Sequence, residues 1–306
     1  MSAPADDVAP VVQLKNVTKK FAAFEALRGV SFELRAGRAL ALVGESGCGK
    51  STCANIISRT ISQSSGDVLL NGLEVPPRLK ASGERAFRKN VQMIFQDPFS
   101  SLNPAFTVRH HISRALKIHG HGRDRAERNR KLLELLAWVG LDGEATSSKY
   151  PYQLSGGQRQ RVNIARALAV EPEVLLADEP TSMLDVSIRL DILELLSRVK
   201  KERKLAMLYI THDIATAYQV AEDIVVMFAG QMVEWGDSWE VLSNPRHPYT
   251  KLILSAVPDP AHRFRVNHGT EYLNEASRIR AISKPYSDRI ARIGQNHFVR
   301  EIGLAE

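Results

Sequence analysis

The stretch Ala39-Leu40-Ala41-Leu42-Val43-Gly44-Glu45-Ser46-Gly47-Cys48-Gly49-Lys50-Ser51-Thr52 decides the fold. Its five leading apolar residues read as a strand buried on both faces. Gly44 to Ser51 then match the phosphate-loop pattern G-x-x-x-x-G-K-S/T, and Ser51 to Ile57 can open a helix. Glycines let the backbone wrap an anion and aim N–H groups at it, and the helix N-terminus adds its positive end. Lys50 suits the β and γ phosphates of a nucleotide, and Ser51 suits a Mg²⁺ ion. Without its context, such a loop is also compatible with a structural glycine-rich turn.

On the N-terminal side, Val11-Val12-Gln13-Leu14 and Val30-Ser31-Phe32-Glu33-Leu34 read as short strands. Gly66 to Gly72 reads as a strand ending in a tight Asn71-Gly72 turn. On the C-terminal side the pattern turns helical. Leu132, Leu133, Leu135, Leu136 and Val139 form an apolar stripe that stops at Gly140. A second helix is expected from near Ser155 to before Pro172. A third carries Ile188, Ile192, Leu195 and Val199 and closes in Lys200-Lys201, which suits the negative end of a helix dipole. Buried strands return at Val174–Ala177, Leu205–Ile210 and Ile224–Phe228, the last turning through Ala229-Gly230-Gln231 into Met232-Val233-Glu234. Apolar strands separated by helices predict an α/β fold with a mostly parallel sheet. From about Asn244 a Pro-punctuated basic tail begins.

Composition narrows the classes. The chain has 306 residues, 44% of them hydrophobic and 25% charged, which is ordinary for a globular protein and excludes a disordered or collagen-like one. No apolar run approaches the length that spans a bilayer, and Met1 to Pro10 carry Asp6 and Asp7 with no secretory h-region. The two cysteines, Cys48 and Cys53, cannot build a disulfide framework or wrap an iron–sulfur cluster, and a reducing compartment is the simpler expectation. Lys and Arg number 41 against 34 acidic residues, a net charge of +7. That excess invites a nucleic-acid reading. The densest basic run, Arg123 to Lys131, contains Asp124 and Glu127 and reads as the exposed start of a helix instead. No nucleic-acid partner is expected.

Three further segments carry chemistry. Val174-Leu175-Leu176-Ala177 delivers Asp178 and Glu179 at a strand end, where open α/β sheets place their ligands. Asp178 can hold Mg²⁺ and Glu179 can act as general base on a water, though alone the pair is equally a solvated strand end. Leu154-Ser155-Gly156-Gly157-Gln158 opens a helix with Ser155 as N-cap and bare N–H groups behind it, a second anion site or a plain cap. Gln96 follows Val91-Gln92-Met93-Ile94-Phe95, and His212 follows Ile210-Thr211; taken singly, each is also an ordinary polar residue.

The Leu154–Gln158 run, about 20 residues before the Asp-Glu strand, resembles the signature of ABC ATPases, and the likeness extends over roughly residues 11–260. It implies that Gly44, Glu45, Ser46, Gly47, Cys48, Gly49, Lys50, Ser51 and Thr52 are the Walker A ATP-binding loop. It implies that Asp178 and Glu179 are Walker B and its catalytic glutamate. Gln96 is similar to the Q-loop glutamine and His212 to the switch histidine, both catalytic by resemblance. Ser51, Gln96 and Asp178 would hold Mg²⁺. Ser182-Met183-Leu184-Asp185 resembles the D-loop, with Met183 where Ala is usual and Asp185 its acid. Phe21 lies where the family stacks an aromatic on adenine, more often a tyrosine. As a lone residue, Phe21 is also compatible with the core.

Phe95-Gln96-Asp97-Pro98-Phe99-Ser100-Ser101-Leu102-Asn103-Pro104 and Asn244-Pro245-Arg246-His247-Pro248-Tyr249-Thr250-Lys251, followed by Ala256-Val257-Pro258-Asp259-Pro260, resemble the peptide, opine and nickel importer ATPases. The resemblance implies an α/β P-loop ATPase core with a mostly parallel sheet, an N-terminal antiparallel β-subdomain, a helical subdomain at about 100–172 and a C-terminal extension. The ATPase domain would span 11–243 and the extension, of the oligopeptide-importer type, 244–306. The activity implied is Mg²⁺-dependent ATP hydrolysis coupled to uptake of peptides or similar solutes. The implied partners are two membrane-spanning permeases, a second ATP-binding subunit of the same or a homologous chain, and an external solute-binding protein. Leu154–Gln158 would act in trans on the ATP held by the other ATP-binding subunit. The location implied is the cytoplasmic face of the bacterial inner membrane. A soluble ATPase of an enzyme complex, such as the carbon–phosphorus lyase system, is the alternative.

Overall fold

The computed structural model describes residues 9–76, 79–98, 100–256 and 269–302, and for 269–273 the backbone alone. Phe99 and the Val257-Pro258-Asp259-Pro260 segment lie outside the described residues. The chain forms two compact units. Of the described residues, one holds 9–12, Leu34–Arg38 and those between Val75 and Leu208; the other holds Gln13–Glu33, Ala39–Glu74 and those from Tyr209 onward.

In chain order, β1 (Pro10–Phe21) and β2 (Phe24–Arg35) are joined through Ala22-Ala23, and β3 (Ala39–Val43) leads into α1 (Lys50–Ile57). β4 (Ser65–Leu70) and β5 (Leu73–Glu74) follow, then α2 (Ala81–Asn90), β6 (Val91–Ile94), α3 (Val108–Ile118), α4 (Arg125–Trp138), α5 (Gly143–Ser147) and α6 (Gly156–Leu168). β7 (Val174–Asp178), α7 (Val186–Arg203), β8 (Ala206–Thr211), α8 (Ile214–Val220), β9 (Asp223–Phe228) and β10 (Gln231–Asp237) come next. The tail holds α9 (Ser238–Ser243), α10 (Pro248–Ser255), α11 (Gly269–Ser283), β11 (Ile290–Gly294) and β12 (His297–Arg300).

In the second unit, β2, β1, β4 and β5 lie in that order in one sheet. Asn71 and Gly72, at φ 51° and 76°, make the tight turn between β4 and β5. β1 is longer than the strand expected over 11–14. Its residues Lys15 to Phe21 are mostly solvated and Asn16 has φ 49°, so no apolar alternation marks that half. The second unit's other sheet runs β11-β12-β10-β9-β3. β3 pairs parallel with β9, Leu42 opposite Val225, while β10, β12 and β11 continue antiparallel along the edge. All five residues of β3 are buried, as are Ile224 to Phe228 of β9.

In the first unit, β6 pairs parallel with β7, Ile94 opposite Ala177, and β7 is buried throughout. Four helices there, α3 to α6, start on a side-chain cap. Asp124 accepts the Glu127 N–H at 2.8 Å and so caps α4 at the basic run. Val139 ends α4 and Gly140, at φ 76°, turns the chain away. Leu132 and Leu136 of α4, Ile112 and Leu116 of α3, and Val162 and Ile164 of α6 are buried, giving the helical part its own core. α7 buries Ile192, Leu195, Leu196 and Val199, and Lys204 at φ 52° closes it.

Candidate functional site

The phosphate loop lies in the second unit, where β3 feeds straight into α1. Gly44 can only be glycine: a β-carbon there would lie against the Met227 carbonyl oxygen, well inside contact distance. Gly49, at φ 109°, would set a β-carbon 2.7 Å from the Ala26 carbonyl oxygen. A backbone this tightly seated presents N–H groups rather than side chains to its concave side, the donor set a polyphosphate requires. Lys50 is 5% exposed, and its Nζ donates to the carbonyl oxygens of Gly44 at 2.7 Å and Glu45 at 2.8 Å. Ser46 and Gly47 are exposed, and Ser51 and Thr52 occupy the first turn of α1.

Burial raises the Cys48 thiol above its ordinary value, with Lys50 opposing. Cys53 is raised by burial and then by Cys48. Both thiols therefore stay protonated and act as small apolar fillers. Phe21 ends β1 and is 42% exposed, its ring 5.4 Å from that of Phe24 and with the Lys19 amine 5.0 Å over it. His212 stands exposed just beyond β8, before Asp213, which caps α8 by accepting from Ala215 and Thr216.

Asp178 and Glu179 lie in the first unit. Asp178 is the last residue of β7 and is 9% exposed; Glu179 follows at φ 44°, turned out of the strand. The Gln96 Nε2 donates to Glu179 Oε2 at 3.2 Å. Ser182 donates both its N–H, at 3.2 Å, and its hydroxyl, at 3.1 Å, to the Glu179 carbonyl, which folds the segment from Glu179 to Asp185 into consecutive turns. Asp185 is exposed at the start of α7 and makes no side-chain cap bond there.

The Leu154–Gln158 run is a capping box: Ser155 Oγ accepts the Gln158 N–H at 3.2 Å, and Gln158 Oε1 accepts the Ser155 N–H at 3.1 Å. Leu154 is buried beneath it and Ser155 is exposed. A β-carbon at Gly157 would come within 2.5 Å of Ile188 Cγ2, so this glycine also sets how closely α6 approaches α7. Sequence reasoning missed Gln160. It is fully buried, and its Nε2 donates to the Pro180 carbonyl at 2.8 Å, tying the signature helix to the segment after Glu179. A glutamine, with Asn163, on the mostly apolar inner face of α6 was the available signal.

Tyr249 and Arg280 were missed as well. Both contact Glu45 of the phosphate loop from the tail. Among the described residues no group of three or more His, Cys, Asp or Glu is placed to hold a metal by itself.

A buried strand, a glycine-seated phosphate loop and a paired Gln and Glu at the ends of parallel strands define a P-loop nucleotide-binding ATPase. The ABC transporter family matches residues 27–182, and the oligopeptide/dipeptide transporter C-terminal region matches residues 233–289. The chain belongs to the ABC transporter family, as an ATP-binding, ATP-hydrolysing cassette. It is 45% identical to the oligopeptide transport ATP-binding protein OppF of Bacillus subtilis (strain 168) over 236 residues, 77% of each chain. It is 42% identical to the di/tripeptide transport ATP-binding protein DppF of Pseudomonas aeruginosa (strain UCBPP-PA14), over 80% of this chain and 75% of that one. Its fold is similar to the ATP-binding cassette MJ0796 in a dimeric post-hydrolysis state bound to ADP and Pi. That match has a TM-score of 0.66 and 32% identity over 74% of this chain and 98% of the other.

Proposed function

We propose that this chain is the ATP-hydrolysing subunit of an importer for peptides or related small solutes. The observation that carries it is the union, in one chain, of an ABC cassette with the oligopeptide/dipeptide transporter C-terminal region. The named relatives are transport proteins, which favours this reading over a soluble enzyme-complex ATPase.

In this reading, the N–H groups of residues 44–51 and the Lys50 amine bind the ATP phosphates, and Phe21 stacks on the adenine. Glu179 takes the proton of the attacking water, Gln96 orients it, and His212 senses the γ-phosphate. Ser51, Gln96 and Asp178 offer the hard oxygen donors that Mg²⁺ prefers, so the residue set fits that ion. Mg²⁺, when bound, would supply charge neutralisation on the phosphates. Leu154–Gln158 would complete the site of a second ATP-binding subunit, and Asp185 would lie along the same contact. The cassette would occupy 11–243 and the extension 244–306.

Two permeases and an external solute-binding protein would complete the complex at the cytoplasmic face of the membrane. Among the described residues no helix is long and apolar enough to cross a membrane, so the permeases would supply the attachment. ATP must bind the closed pair of cassettes more tightly than the open one for its energy to reach the permeases. Affinity purification from detergent-solubilised membranes tests the reading. Membrane-spanning proteins should co-purify, and the complex should hydrolyse ATP faster when a loaded solute-binding protein is added. Recovery with soluble enzymes alone would overturn it.

A further inference from the structure

The phosphate loop is held from the C-terminal tail at one residue, by both its backbone and its side chain. Tyr249, on α10, is fully buried with its ring 4.4 Å from Phe228. Its hydroxyl accepts the Glu45 N–H at 3.0 Å. Burial raises the phenol above its ordinary value, so it stays neutral. Arg280, on α11, lies against the Glu45 carboxylate as a fork, with Nε 3.0 Å from Oε1 and 3.3 Å from Oε2, and Nη2 2.6 Å from Oε1. In sequence the two residues are 235 positions apart.

Glu45 is the only acidic residue between Gly44 and Ser51. A carboxylate at the mouth of an anion-binding loop opposes an incoming polyphosphate. The Lys50 amine, bonded to the Gly44 and Glu45 carbonyl oxygens, is engaged with the backbone. Arg280 is the cation set directly on the carboxylate. The pair is half-exposed, at 43% and 38%, so its worth as a stabilising contact is small. Its effect on a polyphosphate anion is larger, because the compensated carboxylate belongs to the loop that would hold that anion.

We propose that Arg280 is a positioning residue for ATP. It neutralises Glu45 and, with Tyr249, holds the loop in its anion-accepting shape, so the C-terminal tail sets nucleotide affinity. This rests on residues 44–51 being the ATP site.

The experiment is a calorimetric titration of the full chain with Mg·ATP, at low salt and at 0.5 M salt. The proteins compared are the parent, Arg280→Ala, Arg280→Lys, Glu45→Gln and the double variant. Arg280→Ala should weaken binding about fivefold at low salt, with a smaller loss at high salt. Arg280→Lys, which keeps the charge, should recover most of the loss. In the Glu45→Gln background, Arg280→Ala should change affinity less than about twofold. In turnover assays of Arg280→Ala the change should fall on KM more than on kcat. Parent-like affinity in Arg280→Ala would overturn the proposal. So would a loss that salt does not reduce, or one of the same size in the Glu45→Gln background. A parent chain that fails to bind ATP would overturn the ATP site itself.

Discussion

The Gln96 amide donates to the Glu179 carboxylate over 3.2 Å, although 83 positions separate them in sequence. The parallel register of β6 and β7 brings this about, since Ile94 opposite Ala177 delivers both residues to the same end of the strands. An amide is a suitable partner there, because it orients a carboxylate while remaining neutral.

Glu179→Gln should keep ATP binding and lower turnover by at least about 100-fold, the low end expected on losing a general base. The variant keeps the shape and the Gln96 contact in altered polarity but loses the proton acceptor. Phosphate release and nucleotide binding, measured on the same sample, check it. Hydrolysis at the parent rate would remove Glu179 from the role of base.

Phe21→Ala should weaken ATP binding by about 1 kcal/mol, or roughly fivefold, through lost stacking. The ring is 42% exposed and leans on Phe24, so its removal leaves the core intact. Inorganic triphosphate should bind variant and parent equally. An equal loss for triphosphate would locate the damage in the loop rather than at the base.

His247 predicts a pH dependence of stability. Its Nδ1 accepts the Tyr249 N–H at 3.2 Å and caps α10, and burial pushes its pKa down to about 4, with Glu234 opposing. The folded state thus holds the ring neutral where the unfolded chain, near 6.5, takes up a proton. The sign follows: this stability is complete above the unfolded value and is lost as pH falls towards the folded one. About 2 kcal/mol should disappear between pH 7 and pH 5. His247→Asn keeps a capping acceptor without a titrating proton. Its urea-unfolding free energy should fall correspondingly less over that interval, and an unchanged slope would argue against the buried neutral ring.

Lys50 and Ser155 should complement each other across subunits. Lys50→Ala and Ser155→Arg should each inactivate hydrolysis, while a mixed pair has one site with both defects and one with neither. Mixing the two inactive proteins should restore ATPase activity. If the native partner is a different chain, its matching variants must be included. Tethered mixed pairs that stay inactive, beside active tethered parents, would count against sites shared in trans.

Local pattern was legible where burial is continuous or punctuation is chemical. Ala39–Val43 is the strand its five apolar residues predict, Asn71-Gly72 turns the chain, and Gly140 turns it away just past α4. The tail's strands were not legible. β11 has Ile290 and Ile293 exposed, and β12 has four residues whose partner in β10 lies some 60 positions earlier. Glu234, fully buried in β10, reads as a surface acid until its partners appear: the His297 ring at 2.7 Å and the N–H groups of Arg246 and His247. The Lys50 and Glu179 assignments rested on spacing within motifs. Tyr249, Gln160 and Arg280 act through contacts that no spacing encodes.

The placement of β12 against β10 has a consequence for solubility. β10 holds Met232 and Val233 buried, and without the tail it would be a border strand with open N–H and C=O groups, a template for strand addition by another chain. The tail moves that border outward to β11, a strand of five residues with solvated side chains, a charged Arg292 and a register irregularity between Arg292 and Gly294. Short length, charge and a broken register are the features by which sheet borders resist sticking to one another. A chain shortened before His297 would also bury Glu234 without its histidine. Such a chain should aggregate more readily than the parent.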